Sequence, residues 1–212
     1  MPTSPSQRSV KIASDERRAW SSERPRSDGA PPRQADISTR CRVLTASDRL
    51  RYSPGSLVLL VSGVAEEAVA LAERVVEERG AVLSPTKVRS LLEGRVGADE
   101  LEDKAQELLK AAVIKRLDAN QSVLVTVEGL GPEQREAFVR PAHARRRPAH
   151  LILLETARDR VPEEMRSTLN ELRRALDTGE VGREGFQTAL RLGGRSIGEL
   201  NRIVFQPPPR EH

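Results

Sequence analysis

The sequence predicts an α/β fold, in which a doubly wound parallel sheet carries helices on both faces. Three largely aliphatic runs support this prediction, at residues 57–61, 122–127 and 150–154. Continuous apolar runs are typical of strands that are covered on both faces. Amphipathic segments alternate with these runs, and this alternation is the pattern of a parallel sheet.

Weaker signals predict the remaining elements. Two shorter strands are expected at residues 81–83 and 202–205. Helices are expected at 65–78, 85–92, 98–119, from Pro132, and 162–176. The helix that begins at Pro132 is expected to be interrupted or to end at Pro141, because proline lacks the backbone donor that a helix needs.

Composition changes along the chain and predicts its organisation. Residues 1–38 are rich in Ser, Pro and Arg, so they are expected to form a disordered basic tail. Residues 39–55 are a lead-in segment, residues 56–206 the folded domain, and residues 207–212 a Pro-rich end. The basic tail suits a nucleic-acid or acidic partner. The high arginine content of this tail is also what a GC-rich genome produces, without any role in binding.

Several classes of protein are excluded by the sequence. No apolar run approaches the roughly 20 residues that a membrane helix needs, so no membrane partner is expected. There is no apolar N-terminal segment of the secretory type, and Cys41 is the single cysteine, which fits a cytoplasmic location. No Cys and His residues have the spacing of metal ligands, so no metal is expected.

The segment after the first aliphatic run is where a phosphate-binding loop would lie. In a kinase of this type, a G-x-x-x-x-G-K-[ST] motif follows the strand, and its N–H groups, lysine and hydroxyl hold phosphates and Mg²⁺. Here the corresponding segment, residues 62–69, reads SGVAEEAV. Because it has one glycine, it also fits an ordinary strand-to-helix turn.

Five segments together resemble a known family. They are SLVLLVSGVAEEAVALAERV, VLSPTKVRSLLEG, RLDANQSVLVTVEGLGPEQREAFVRPAHARRRPAHLILLE, VPEEMRSTLNELRRAL and GREGF. In order and spacing they are similar to the bacterial polynucleotide-kinase-like ATPases of the AAA-type P-loop NTPase superfamily. The resemblance covers about residues 53–206 and implies a P-loop-kinase-like sheet.

On the nucleotide side, the chain departs from the family pattern. Ala68 stands where the family has its phosphate-binding lysine, and Val69 where it has the Mg²⁺-binding hydroxyl. Glu67 replaces a loop glycine, and Glu66 adds a second negative charge. The resemblance therefore implies a vestigial nucleotide site at Ser62, Gly63, Glu66, Glu67, Ala68 and Val69.

The substrate side departs in the same way. Thr86 stands where the family has the aspartate that accepts the substrate's proton, and Thr126 where it has an acidic residue. Arg89 matches a family position. The family's arginine-bearing lid is shortened, which leaves Arg158 and Arg160 as its possible cations.

These departures predict a catalytically degenerate, pseudokinase-like protein that binds a protein or nucleic-acid partner and needs no cofactor. The alternative is an ATP-dependent phosphotransferase of the polynucleotide-kinase type with an atypical nucleotide site, and ATP and Mg²⁺ are expected only then. A basic cluster of four arginines near residue 143 suits phosphate or nucleic acid, but also the solvated end of a helix, which is the favoured interpretation. The cluster comprises Arg140, Arg145, Arg146 and Arg147.

Overall fold

The computed structural model describes residues 35–206. Most of the predicted tail, residues 1–38, and the whole Pro-rich end, residues 207–212, lie outside the described residues. The described part has the α/β fold that the sequence predicts, and this fold is consistent with the P-loop kinase-like class. In this part of the chain, no helix is both long enough and apolar enough to cross a membrane.

The strands form two parallel sheets. In chain order they are β1 (Arg42–Leu44), β2 (Arg49–Tyr52), β3 (Leu57–Ser62), β4 (Val82–Leu83), β5 (Val123–Val127), β6 (Ala149–Leu154), β7 (Thr188–Leu192) and β8 (Arg202–Phe205). Six of them make the main sheet in the order β1-β7-β6-β3-β5-β4, and β2 pairs with β8 in a small second sheet. All residues of β3, β5 and β6 are buried, which explains their continuous apolar sequences.

Six helices cover the main sheet. They are α1 (Ala65–Val75), α2 (Pro85–Leu92), α3 (Leu101–Asp118), α4 (Pro132–Ala144), α5 (Glu163–Asp177) and α6 (Arg195–Glu199). The start of α2 shows how local sequence sets an element. The Ser84 hydroxyl accepts a hydrogen bond from the Lys87 backbone N–H at 3.2 Å, and Pro85 occupies the first helical position.

The hydrophobic core has two parts, one on each face of the main sheet. On one face, α1 and the β2–β8 sheet pack against residues such as Leu60 and Ile152. On the other face, α3, α4 and α5 pack against residues such as Leu59 and Leu151. Because α1 and α5 lie on opposite faces, the chain leaves β3 and β6 in opposite directions.

The prediction of the last sheet strand was wrong. Residues 202–205 form a strand, but this strand is β8 of the small sheet. The corresponding place in the main sheet belongs to β7, which the sequence analysis did not assign. The apolar run of β7 is broken by the exposed Arg191 and the half-buried Thr188, so its pattern is weaker than that of the inner strands.

The predicted break at Pro141 was also wrong, because α4 continues through it to Ala144. Two neighbours of this proline in the helix, Val139 and Ala142, are fully buried in the core. Tertiary packing therefore offsets the lost helical hydrogen bond, which alone costs about 3 kcal/mol in a helix interior.

Candidate functional site

A crevice at the carboxyl end of the main sheet is the expected ligand position in this class of fold. Neighbouring parallel strands whose connections leave in opposite directions open such a crevice between their ends. Here the two strands are β3, which runs into α1, and β6, which runs towards α5. The sequence-predicted nucleotide residues lie on the β3 side of this crevice.

The turn between β3 and α1 is short. Strand β3 ends at Ser62 and the helix starts at Ala65, so only Gly63 and Val64 lie between them. The Val64 N–H is already used, because it donates to the Ser62 hydroxyl at 3.1 Å. Glu66 and Glu67 are therefore helical residues. A two-residue turn of this kind has few free N–H groups with which to surround a phosphate.

A chain of hydrogen bonds closes the crevice. The Thr156 hydroxyl, which follows β6, donates to Glu67 Oε2 at 2.8 Å. Ser62 Oγ and Thr156 Oγ1 lie 2.9 Å apart and are buried. Because Thr156 gives its single proton to the carboxylate, Ser62 must donate to Thr156. The bonds thus run in one direction, from the β3–α1 turn to the negative charge of Glu67.

Arg160 completes this network. Its guanidinium pairs with Glu67 Oε1, so both carboxylate oxygens have partners. Arg160, one of the two possible lid cations, therefore neutralises a carboxylate of the crevice. Of the two carboxylates expected there, Glu66 is left exposed to solvent. The other possible lid cation, Arg158, is exposed, and its guanidinium has no hydrogen bond to the described residues, so the structure does not bring it to Glu67.

Val161 fills the space beside the β3–α1 turn. This side chain is 2% exposed, and a Cβ atom added at Gly63 would lie only 2.9 Å from its Cγ2 atom. Gly63 is therefore required by the close approach of Val161. The crevice next to the turn is occupied by the protein's own side chains.

The two positions that would carry the lysine and the hydroxyl of a phosphate-binding loop do not face an open crevice. Ala68 is 1% exposed and belongs to the core between α1 and the sheet. Val69 is half-buried one residue further along the helix. Neither side chain has a polar group, and the buried position of Ala68 fits a small apolar residue.

On the substrate side, the structure brings Thr86 and Arg89 together, but the Arg89 guanidinium is already paired with two glutamates. Arg89 forms a bidentate pair with Glu128, with one Nη1–Oε2 distance of 2.8 Å, and it also contacts Glu102 at 3.2 Å. A weak contact of 3.4 Å joins it to the Thr86 hydroxyl. The hydrogen bonds to Glu128 raise the pKa of Arg89, so its charge is permanent.

Thr126 lies near the end of β5, opposite Leu60 of β3. It is 3% exposed, and its hydroxyl has no hydrogen-bond partner among the described residues. Next to it is a cavity of about 220 Å³, here called the β5 cavity, between α3 and α4. The cavity is lined by Pro85, Gln106, Leu109, Lys110, Thr126, Val127, Glu128, Glu133, Gln134, Ala137 and Phe138.

The basic cluster near residue 143 lies at the end of α4, where two of its arginines bind the end of α3. Arg145 pairs with Asp118 at 2.6 Å, and Arg147 donates to Asn120 Oδ1 at 2.5 Å. Arg146 is exposed, with a positive φ of 56°. These contacts give Arg145 and Arg147 a structural role, and this agrees with the helix-end interpretation. Within residues 35–206, no group of three or more His, Cys, Asp or Glu side chains is arranged to hold a metal ion.

Three residues of this site were not anticipated from the sequence. The position of Thr156 could have been found from the sequence. Thr156 follows β6 and Ser62 ends β3, and the carboxyl ends of neighbouring parallel strands lie at the same edge of a sheet. Glu128 likewise follows β5. No sequence pattern indicates the role of Val161, because its contact with Gly63 depends on the path that the chain takes after β6.

Comparison with known proteins adds little to this description. No protein-family model and no curated protein matches the chain. A solved structure with similarity is that of the Deinococcus radiodurans tunicamycin resistance protein, at 18% identity and a TM-score of 0.38. The match covers 72% of this chain and 99% of that one. At this score the likeness supports no functional conclusion, and the resemblance to polynucleotide-kinase-like ATPases stays a prediction.

Proposed function

We propose that this chain is a catalytically degenerate P-loop kinase-like protein that acts by binding a protein or nucleic-acid partner. The observation that supports this proposal is the closed crevice between β3 and β6. Glu67, Thr156 and Ser62 form a continuous hydrogen-bonded chain across it, and Val161 packs against Gly63. A nucleotide would have to displace all of these contacts.

Electrostatics also oppose a triphosphate at this position. The ligand carries about four negative charges, and catalysis of phosphoryl transfer depends on neutralising them. Glu66 and Glu67 lie at the start of α1, where a phosphate would approach. Each like-charge contact at about 4 Å costs about 1 kcal/mol in water and more in a crevice. Arg160 cannot neutralise both Glu67 and a phosphate.

The chemical groups for phosphoryl transfer are missing from the positions that the family resemblance assigns. Ala68 offers no cation, Val69 no metal-binding hydroxyl, and Thr86 no carboxylate to accept a proton. Arg89 is engaged with Glu128 and Glu102. On this proposal the protein needs neither ATP nor Mg²⁺.

The binding role is supported by the asymmetry between the two sides of the sheet. The β3–α1 turn is closed by the protein's own side chains, whereas the β5 cavity on the substrate side holds polar groups without partners. The Thr126 hydroxyl and Gln134 Oε1 are buried without hydrogen-bond partners in the described part of the chain. Such groups are costly unless a ligand or water satisfies them. A partner's uncharged polar side chain or nucleobase that enters this cavity would gain those bonds.

The alternative function is an ATP-dependent phosphotransferase with an atypical nucleotide site. A cavity of about 370 Å³ on the α1 face favours it. This cavity has an apolar floor that includes Leu71, Leu154 and Ile197, which suits a nucleobase. Glu67 and Glu155 also line it, however, so the phosphates would still meet negative charge.

Isothermal titration calorimetry with ATP, with and without Mg²⁺, tests the proposal, followed by a phosphate-transfer assay on 5′-hydroxyl oligonucleotides. We expect no heat of binding that depends on Mg²⁺ and no transfer. Micromolar ATP affinity that is lost in an Ala70→Arg variant, at an exposed residue of this cavity, but kept in a Glu66→Ala variant, would establish the alternative. Fluorescence anisotropy with labelled oligonucleotides over a salt series then separates nucleic-acid from protein partners, because phosphate contacts weaken steeply with salt.

A further inference from the structure

A second cavity, distinct from the crevice, lies beside α5. Its volume is about 180 Å³, and it opens between this helix and the 3₁₀ turn Arg158–Arg160. We call it the α5 cavity. Its lining residues are Arg158, Val161, Arg166, Leu169, Asn170 and Arg173. Three of these six residues are arginines, and none is acidic.

The polar side chains of the α5 cavity present hydrogen-bond donors. Guanidinium groups only donate, so Arg158, Arg166 and Arg173 offer no acceptor. Asn170 has both kinds of group, but its Oδ1 accepts from Arg173 Nη1 at 3.0 Å. That bond fixes the orientation of the amide and leaves its N–H₂ group for a ligand. A lining of donors, with Val161 and Leu169 as an apolar floor, matches a ligand that is rich in acceptors.

The charges around the α5 cavity are positive in balance. Arg166 pairs with the exposed Glu163, and Arg173 pairs with Glu155, but neither carboxylate lines the cavity. The Arg158 guanidinium has no ion pair or hydrogen bond to the described residues. By contrast, the β5 cavity is lined by two glutamates and one lysine, and the cavity on the α1 face by two glutamates and one arginine. An anion would therefore be attracted to the α5 cavity and repelled from the other two.

We propose that the α5 cavity binds an oxyanion of the phosphate class, either inorganic phosphate or the phosphate group of a small monoester. The Arg158 guanidinium suits this ligand because its paired N–H groups, which have no partner among the described residues, match two oxygens at once. The Nε and Nη2 groups of Arg173 already bind Glu155, and Arg166 donates to Val161 O and Glu163, so these two arginines add positive charge and their remaining N–H groups. The site shares Val161 with the wall of the crevice but uses none of the residues of the nucleotide position. It therefore stands independently of the function proposed above.

Arg158 is the residue through which the proposal is best tested. Its side chain is exposed and has no partner in residues 35–206, so its replacement should leave the fold intact. Arg174 is a matched control, because it is an exposed arginine on α5 that does not line the cavity. The variants are Arg158→Gln and Arg174→Gln, each of which removes one positive charge.

The experiment is an NMR titration of the full ¹⁵N-labelled chain with inorganic phosphate, at constant ionic strength maintained with chloride. We expect saturable shifts of the Asn170 side-chain amide and of backbone amides between residues 158 and 173. The Arg158→Gln variant should bind at least about tenfold more weakly, a loss of about 1.4 kcal/mol, and Arg174→Gln should bind as the parent does. Equal binding by both variants would overturn the proposal. So would the absence of saturation at about 10 mM phosphate, ten times a Kd of about 1 mM.

A parallel titration with glycerol phosphate identifies the source of the phosphate group. Tighter binding of the ester than of inorganic phosphate assigns the site to a monoester, and weaker binding assigns it to the free ion. ATP provides the distinction from the proposed function. Binding of ATP that is independent of Mg²⁺ and lost in Arg158→Gln belongs to the α5 cavity, whereas binding that survives this substitution belongs elsewhere and contradicts the proposed function.

Discussion

Replacing Ala68 by lysine tests whether this position belongs to the core or to a nucleotide site. The family resemblance puts a phosphate-binding lysine here, so Ala68→Lys would restore a key group if the crevice were intact. In the structure, Ala68 is 1% exposed and packs with Leu71, Ala72 and the sheet. We expect the substitution to destabilise the protein and to confer no affinity for ATP.

The expected magnitude follows from two costs. Forcing a long side chain into a packed core costs roughly 1–3 kcal/mol. An uncompensated buried charge costs several kcal/mol more, reduced where the lysine stem reaches towards the crevice. Together we expect a loss of about 4 kcal/mol, which is a large part of the roughly 5–15 kcal/mol that stabilises a typical domain. Urea unfolding, followed by circular dichroism, measures this loss.

An Ala68→Met variant separates the two costs. Methionine is similar in length to lysine but carries no charge, so the difference between the variants reports the burial of the ammonium group. We expect the lysine variant to be the less stable of the two by at least about 2 kcal/mol. A lysine variant as stable as the parent, with a new affinity for Mg·ATP, would refute both the core assignment of Ala68 and the closed crevice.

Two further predictions concern a buried network and a buried histidine. Glu67→Ala removes the acceptor of the Thr156 hydroxyl, and we expect a loss of about 2 kcal/mol, seen as a fall of about 4–8 °C in Tm by calorimetry. His150 is 6% exposed, and burial, with a smaller effect of Arg42, lowers its pKa to about 4. In the unfolded chain His150 is therefore protonated below about pH 6.5, whereas in the folded protein it is protonated only below about pH 4. Stability should fall by up to about 3 kcal/mol as the pH drops through this window, measured by urea unfolding.

Each of these predictions has a matched control. Glu66→Ala removes a neighbouring exposed carboxylate and should change stability by less than about 0.5 kcal/mol. If it cost as much as Glu67→Ala, the network would not be the cause. His150→Gln removes the titrating group, so stability should depend less on pH between 4 and 6.5. An unchanged pH dependence would assign the effect to other residues.

The inner strands of the sheet were predictable from the sequence, because a strand that is buried on both faces consists almost entirely of apolar residues. Strands β3, β5 and β6 are largely apolar runs, and the helix predicted from residue 85 is α2, which begins at Pro85. Strand β7 was missed because Arg191 turns outward to pair with Glu155 and Asp177. Those partners lie 36 and 14 residues away in sequence, so no local pattern could reveal them.

The candidate site was less predictable, because its character depends on contacts between distant segments. The sequence indicated which side chains were missing at Ala68 and Val69. It did not indicate that Arg160 would pair with Glu67, or that Val161 would pack on Gly63. The two negative charges expected at this position are thus one ion-paired glutamate, Glu67, and one exposed glutamate, Glu66.

The small β2–β8 sheet has a consequence for how the chain folds during synthesis. Arg49 pairs with Arg202, so the two strands are about 150 residues apart in sequence. On the ribosome, β2 and the C-terminal end of α1 therefore stay uncovered until nearly the whole described chain has been synthesised. Contacts of such long sequence separation slow folding, and the unpaired edge is open to wrong pairing in the meantime. The α1 face should be the last part of the domain to become protected from solvent.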